Sequence, residues 1–504
     1  MQNLQILFYT IYTFACPQDR LPDGRHRWSK RPVPLRVIHR IVFRAAAPET
    51  VLTISDWASD SAPGGEIGGR RIVNHCILRP YYVEDSQELK VLKKMYFSPA
   101  SLSGAAEDVV KMGAVKADSR SGLRRVERVV MTYGRECGYD TPVQEVHIVQ
   151  HPVPGKDGIG CPLYVVLHSA GHNADKAFDC TFTPDNHDIY SVPDDFYGLY
   201  LDCQMAKDSD WWWGANKCLE FALSPCERRL LATIEETVVK YSIDRDRIYL
   251  CGNSMGGSGT LGLGLRHGDV FAAIKANVPA FVKHACGRMG WDMERDADAA
   301  GIDLDSIPDP PLLVDYSAQN DKWSEGHEHL VSMMRARRYP WMFLWADFGH
   351  ANIDSVMLAK NDVIHALDWT KVRKSDVLPA FSNASCDNEI PWPDRRESKD
   401  AGQINAFFRW ADGESTDSTV TIKLFLANLK SRHFTIPDCA IADVTLRRLG
   451  ALKVKRGDVF SWGYCGKTGS SVVGADGLLT VHGLEITKEP QTLKATLNLR
   501  GQTL

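Results

Sequence analysis

Three absences narrow the possibilities before any motif is read. No apolar run reaches the roughly 18–20 residues needed to cross a bilayer as a helix, so no stable membrane insertion is expected. There is no excess of basic residues. The 59 Lys and Arg stand against 63 Asp and Glu, a formal charge of −4, and a general nucleic-acid binder would carry a basic stripe or surplus. The 13 cysteines include no C-x-x-C pair, so no zinc site is visible by spacing. One or two bridges among Cys180, Cys203, Cys218 and Cys226 remain open. Internal repeats and long low-complexity tracts are also missing.

What is present is the composition of a globular protein, 44% apolar and 24% charged over 504 residues. That length exceeds one compact domain and can bury a large core without staples. Residues 1–35 read as an irregular lead-in. Leu4 to Cys16 resembles the apolar part of a secretory signal but has no Lys or Arg before it. Secretion, to the exterior or the periplasm, is the expectation, with the cytoplasm as the alternative. Residues 36–122 mix short β-like runs, Arg36–Arg44 and Arg71–Leu78, with a Gly/Ser/Pro stretch, and read as an accessory region.

The pattern changes near residue 123. Val143–Gln150 alternates like an exposed strand, and Leu163–Leu167 is the short apolar run of a strand buried on both faces. Leu230, Leu231, Ile234, Val238 and Val239 mark one face of a helix. Further strands are expected at Arg247–Cys251, Phe271–Val278, Leu312–Tyr316 and Met342–Ala346, a helix at Ser258–Arg266, and a closing helix around Asp354–Trp369. Strands alternating with helices indicate βαβ units, hence an α/β fold with a doubly wound, mostly parallel sheet over residues 123–372. The polar stretch 373–400, with Pro379, Pro391 and Pro393, reads as a linker. Beyond it, Val420, Ile422, Leu424 and Leu426 alternate with Thr421, Lys423 and Phe425. Residues 401–504 therefore read as a small antiparallel β domain of sandwich type.

One segment carries chemistry. Gly252-Asn253-Ser254-Met255-Gly256 fits G-x-S-x-G and lies between an expected strand and an expected helix, the context this motif needs. The two glycines let the limbs of a sharp turn approach closely. The turn lifts the serine hydroxyl over the sheet edge, above a helix N-terminus that favours negative charge. Ser254 is the expected nucleophile and the Met255 N–H an oxyanion donor. The second donor should follow an earlier strand. His168-Ser169-Ala170-Gly171 has the shape of the H-G-x-G turn, with Ser169 in place of the first glycine, so Ala170 is expected there and Gly171 next. His168 itself reads as a structural hydrogen-bonder.

In this triad order the acid and then the base follow the serine. His350, in a glycine-flanked loop after the last strand, is the expected base; His327, His329 and His365 are the competitors. Asp321, leaving the strand before it, is the expected acid that holds the imidazole. Asp315 is the alternative, with Asp347 and Asp354 less favoured.

The phrases YLCGNSMGG, HSAG, SAQND and FGHAN, in that order, resemble the carbohydrate-esterase branch of the α/β-hydrolases, which includes feruloyl and acetyl-xylan esterases and polyhydroxybutyrate-depolymerase-like enzymes. The resemblance covers roughly residues 125–372. It implies a serine carboxylic-ester hydrolase working through an acyl-enzyme without metal or organic cofactor, and acyl or feruloyl esters of plant polysaccharides as substrates. The adjacent tryptophans of Asp210-Trp211-Trp212-Trp213-Gly214, with Trp323 beside the acid, suggest flat surfaces for a sugar or phenolic group. Trp212, Trp213 and Trp323 are the expected substrate contacts. Two rivals remain: a prolyl-oligopeptidase-type peptidase, for whose N-terminal propeller about 120 preceding residues are too few, and a non-catalytic carbohydrate-binding protein on a hydrolase fold.

Overall fold

In the computed structural model, residues 125–153, 155–156, 158–181, 188–203, 210–215, 223–291, 307–350, 362–392 and 401–498 are described, together with the backbone of short strands between residues 5 and 95. The chain divides into two compact units. One comprises Met1–Arg128, Val149–Asp157 and Pro193–Asp195, and the other Val129–Ile148, Gly158–Val192 and Phe196–Leu504. In the first unit, Cys76–Val83 pairs antiparallel with Glu88–Met95, and Gln5–Tyr9 with Arg40–Arg44. The β-like runs expected near 40 and 76 are therefore strands.

The second unit is built on a nine-stranded sheet. Its strands are β1 (Val126–Tyr133), β2 (Val143–Gln150), β3 (Leu163–Leu167), β4 (Tyr197–Tyr200), β5 (Ile248–Asn253), β6 (Ala273–Asn277), β7 (Leu312–Ala318) and β8 (Trp341–Ala346), followed by β10 (Gly402–Ile404). The spatial order is β1-β2-β4-β3-β5-β6-β7-β8-β10. From β4 to β8 all neighbours are parallel. These central strands are buried at every position, which is why their sequences are near-continuous apolar runs. Helices α1 (Ala174–Cys180), α2 (Pro225–Lys240), α3 (Met255–Gly264), α4 (Lys283–Arg288) and α5 (His327–Arg337) connect them. The start of α2 is set by Ser224, whose hydroxyl accepts from the Glu227 N–H at 3.1 Å, and by Pro225 at the first position. This is the mostly parallel α/β arrangement expected of the sequence.

Two expectations about the rest of the chain are corrected. The stretch 373–400 is not simply a linker, because Leu378–Ser382 forms strand β9 and pairs with Cys439–Arg447. Its proline is tolerated because β9 lies at a sheet edge. Nor do residues 401–504 stand apart from the nine-stranded sheet. β10 extends that sheet by pairing antiparallel with β8, Phe343 opposite Ile404. The remaining strands form the expected sandwich. Sheets of three and five antiparallel strands enclose Val420, Ile422, Leu424, Val444, Leu446, Val481 and Ile486. The helix expected around Asp354–Trp369 is described only as α6, Asp362–His365; Asp354 lies outside the described residues. Among the described residues, no helix is long and apolar enough to cross a membrane.

The sandwich is joined to the parallel sheet through two buried arginines. Arg447 pairs with Asp309, whose other oxygen accepts the Arg448 N–H at 3.0 Å. The buried Arg448 guanidinium donates to the carbonyls of Gly268 (3.2 Å), Phe271 (3.0 Å) and Ala272 (3.1 Å), leading into β6. Burial pulls its pKa down to about 10. Removing it would take the side-chain donor from the Gly268 and Phe271 carbonyls in a dry interior. Arg448→Ala is therefore expected to cost roughly 3 kcal/mol, read as a lowered denaturant midpoint with an unchanged slope.

Candidate active site

Parallel strands deliver their carboxyl ends to one edge, and ligand sites of such sheets gather there. Four segments meet at this edge: the loop after β3, the β5–α3 turn, the loop after β7 and the loop after β8.

The β5–α3 turn is held by the absence of side chains. A Cβ on Gly256 would lie 2.0 Å from the Leu167 carbonyl oxygen, and one on Gly252 would lie 2.3 Å from the Gly256 carbonyl carbon and oxygen. No other residue fits either position. Ser254 itself has φ 58° and ψ −119°, a strained conformation for a residue with a Cβ. Its N–H donates to the Asn277 carbonyl at 3.0 Å, and its carbonyl accepts from Ser258 N–H at 3.0 Å and Ala280 N–H at 3.3 Å. The residue is thus locked on both sides while its hydroxyl projects over the start of α3.

That hydroxyl lies 2.7 Å from His350 Nε2, and His350 Nδ1 lies 2.6 Å from Asp321 Oδ2. Asp321 is buried. It also accepts from the Trp323 N–H at 2.9 Å and the Ser324 hydroxyl at 3.3 Å. Every partner of the carboxyl group is a donor, so it fixes the Nδ1–H tautomer and leaves Nε2 free to accept from Ser254. Turns of positive φ, at Asn320 (59°) and Gly349 (63°), bring both loops into position. The competing histidines lie elsewhere. His327 is buried with Nε2 2.7 Å from Ser317 Oγ, and burial depresses its pKa to about 3. His365 packs against Tyr316, and His329 is exposed on α5. Asp315 sits within β7, bonded to Ser317 Oγ at 3.0 Å, and does not reach His350 in the bonding of the site.

The loop after β3 is tied to the β5–α3 turn. Ser169 Oγ donates to the Asn253 carbonyl at 2.9 Å and meets the Tyr190 hydroxyl at 2.9 Å. The serine that replaces glycine in the motif therefore braces the loop, leaving Ala170 exposed beside Gly171, whose φ is 72°. Met255 begins α3. His168 is structural, as expected. Its Nδ1 donates to the Ser169 carbonyl at 2.8 Å and its Nε2 accepts from the Cys203 N–H at 3.1 Å.

The expectation for Trp212 and Trp213 is corrected. Trp212 is 0% exposed, and its indole N–H donates to the His168 carbonyl at 3.1 Å. Its ring occupies the space left by Gly259, where a Cβ would lie 2.5 Å from the Trp212 Cβ. Trp213 is 8% exposed, stacked on His284 at 3.9 Å and on Trp211 at 5.5 Å. Both rings are spent on packing against glycine-lined α3. Trp323, by contrast, is 38% exposed, with its ring edge-on to His350 at 4.5 Å.

A residue missed in the sequence joins it. Phe281 is 49% exposed, and its N–H donates to the Trp323 carbonyl at 2.9 Å. Its φ of 57° is unfavourable for a side chain of this size. In sequence it is one apolar residue among several after β6, and no signal separates it from core. Cys180, Cys203 and Cys226 are buried, and Cys218 lies outside the described residues. Among the described residues, no group of three or more His, Cys, Asp or Glu is placed to hold a metal ion.

No family model and no curated protein matches the chain. Among solved structures it is similar to a substrate-bound fluorophosphonate-binding serine hydrolase of Staphylococcus aureus, at 13% identity and TM-score 0.33, covering 49% of this chain and 98% of that one. It is also similar to an S-formylglutathione hydrolase of Agrobacterium tumefaciens, at 13% identity and TM-score 0.34, covering 49% and 95%. A ferulic acid esterase of the anaerobic fungus Anaeromyces mucronatus is similar at 17% identity and TM-score 0.33, covering 49% and 95%.

Beneath the site, burial raises the Asp315 pKa from 3.8 to about 8. An acid whose folded pKa is raised stabilises the fold fully below its unfolded value and loses that contribution as pH rises towards the folded one. Asp315→Asn mimics the neutral form at every pH. Thermal unfolding should show the variant gaining on the parent protein steadily from about pH 4 to about pH 8. Parallel melting curves with no widening gap would reject the raised pKa.

Proposed function

We propose that the protein is a serine carboxylic-ester hydrolase that works through an acyl-enzyme. The observation that carries this is the unbroken hydrogen-bonded line from Asp321 through His350 to a serine hydroxyl held on a strained turn. In this reading His350 Nε2 takes the proton of Ser254 Oγ as that oxygen attacks the ester carbonyl. Asp321 stabilises the imidazolium. The oxyanion is received by the Met255 and Ala170 N–H groups, each worth about 10²–10³ in rate. The intermediate collapses, and His350 returns the proton to the departing alcohol. Water then repeats the sequence and releases the acid.

The acyl side of the substrate is assigned to the exposed pair Phe281 and Trp323. Two aromatic faces next to the nucleophile suit a planar phenolic acyl group, in line with feruloyl or acyl esters of plant polysaccharides. A peptidase reading has no comparable observation in its favour.

Ser254→Ala should lower turnover of p-nitrophenyl acetate by on the order of 10⁴-fold or more and abolish labelling by a fluorophosphonate, with the circular dichroism spectrum retained. Near-full activity in that variant would remove Ser254 from the mechanism. Phe281→Ala should lower kcat/KM for methyl ferulate about tenfold, the loss of roughly 1.4 kcal/mol of apolar contact, and leave p-nitrophenyl acetate within a few-fold. Equal losses on both esters would sink the acyl-site assignment. Peptide turnover exceeding ester turnover would overturn the esterase reading itself.

A further inference from the structure

Phe281 stands in a conformation that its own side chain does not favour. Its φ of 57° is left-handed, costly for a bulky residue, and kept only where the surroundings hold it. Its neighbours are held independently. The Ala280 N–H donates to the Ser254 carbonyl at 3.3 Å, and the Ala280 carbonyl accepts the hydroxyl of the buried Ser258. On the other side the Val282 N–H donates to the Glu325 carbonyl at 2.9 Å. Phe281 itself has two backbone ties. Its N–H donates to the Trp323 carbonyl at 2.9 Å. Its carbonyl lies 2.9 Å from His284 Nδ1, and among the described residues no backbone N–H donates to it.

The His284 ring is buried and held flat. It stacks on Trp213 at 3.9 Å and 15°, and it passes close over Gly262, where a Cβ would lie 2.8 Å from His284 Nε2. Trp213 is fixed in turn, since its carbonyl accepts from Arg288 at 2.9 Å. The second ring nitrogen, Nε2, lies 3.2 Å from the Ser258 carbonyl. Burial pulls the imidazole pKa down to about 4, so near neutrality the ring is uncharged and has a single N–H to give. Two carbonyls compete for it. The Nδ1 contact is the closer, and a lone pair left there would face the carbonyl oxygen with the greater repulsion. The Ser258 carbonyl also lies within α3, where the helix ladder supplies a backbone donor. The proton therefore belongs on Nδ1, where it serves the Phe281 carbonyl.

We propose that His284 is a positioning residue for the acyl site: by donating from Nδ1 to the Phe281 carbonyl it holds Phe281 in its left-handed conformation, and thereby sets the preference for aromatic acyl groups. The proposal rests on the ester-hydrolase reading for what the Phe281 ring contacts, but not for the hydrogen bond itself. It also gives the buried Trp213 a part in the site at one remove, as the surface against which the imidazole lies.

The test is a pair of substitutions that each keep one donor. The side-chain amide of His284→Asn stands where Nδ1 stood, and that of His284→Gln reaches to where Nε2 stood. Both lose the stack on Trp213, so a merely structural role predicts equal effects. His284→Asn should keep slow amide exchange at Phe281, and the ratio of methyl ferulate to p-nitrophenyl acetate turnover within about twofold of the parent protein. His284→Gln should speed exchange at the Phe281 amide about tenfold or more and lower kcat/KM for methyl ferulate about fivefold to tenfold. Turnover of p-nitrophenyl acetate should stay within a few-fold, because Ala280 remains tied to Ser254 and Ser258. In a Phe281→Ala background the two variants should no longer differ on ferulate. Equal behaviour of His284→Asn and His284→Gln overturns the proposal, as does a ferulate difference that persists without the Phe281 ring. Exchange is read without turnover, so a parent protein that hydrolyses no ester would sink the proposed function while exchange at Phe281 still decides the role of His284. Should both variants fail to fold, nitrogen NMR of the parent imidazole decides, with a proton expected on Nδ1 and a bare Nδ1 overturning the assignment.

Discussion

The contact on which the site depends is backbone against backbone. Gly256 at the head of α3 meets the last carbonyl of β3, and Gly252 at the end of β5 meets the carbonyl of Gly256. At distances where a single methyl group would collide with a carbonyl oxygen, the strand, the turn and the helix can be arranged in one way only. The strain at Ser254 follows from that constraint and is sustained by it. The hydrogen bonds from Ser169 to Asn253 and from Ala280 to Ser254 are also geometric consequences. The loops after β3 and β6 are anchored to the backbone of the turn, and His350 meets it through the Ser254 hydroxyl.

A second layer of order lies beneath the helix. Glu227 on α2 pairs with Arg288 on α4 in the interior and accepts from the half-buried His267 at 2.9 Å. The Arg288 guanidinium also donates to the carbonyls of Gly262 (3.1 Å) and Trp213 (2.9 Å). Burial pushes the Glu227 carboxyl up, but the His267 hydrogen bond and then the Arg288 and Arg266 charges hold it down at about 2. Such a network adds little net stability compared with apolar packing, but breaking it leaves an uncompensated charge inside. It fixes where the back of α3 sits.

Much of this was legible in the sequence because it rests on local patterns. The central strands are buried on both faces and read as apolar runs. The order of serine, acid and base along the chain matched the order of the strand ends that carry Ser254, Asp321 and His350. What was hidden depended on long-range packing. β4 is four residues with a glycine, too short to carry a period. β9 was obscured by Pro379, which only an edge strand admits. The tryptophans looked like a surface because nothing local reveals that Gly259 and Gly262 leave room for Trp212 and for the His284–Trp213 stack. Arg447 alternates like a solvent-facing residue of its strand, yet it is buried and paired with Asp309 in the chain just before β7.

The joining of β10 to β8 gives the closing strand of the parallel sheet a particular history. β8 leads directly into the loop bearing His350, yet its outer rim of amide and carbonyl groups is covered by residues 402–404. A nascent chain halted before that point carries all three residues of the hydrogen-bonded line but displays a raw β edge, the kind that seeds association between copies. Translation must therefore run more than fifty residues past the imidazole before its own strand is sheltered, and ribosome pausing in that interval is a moment of exposure for the protein.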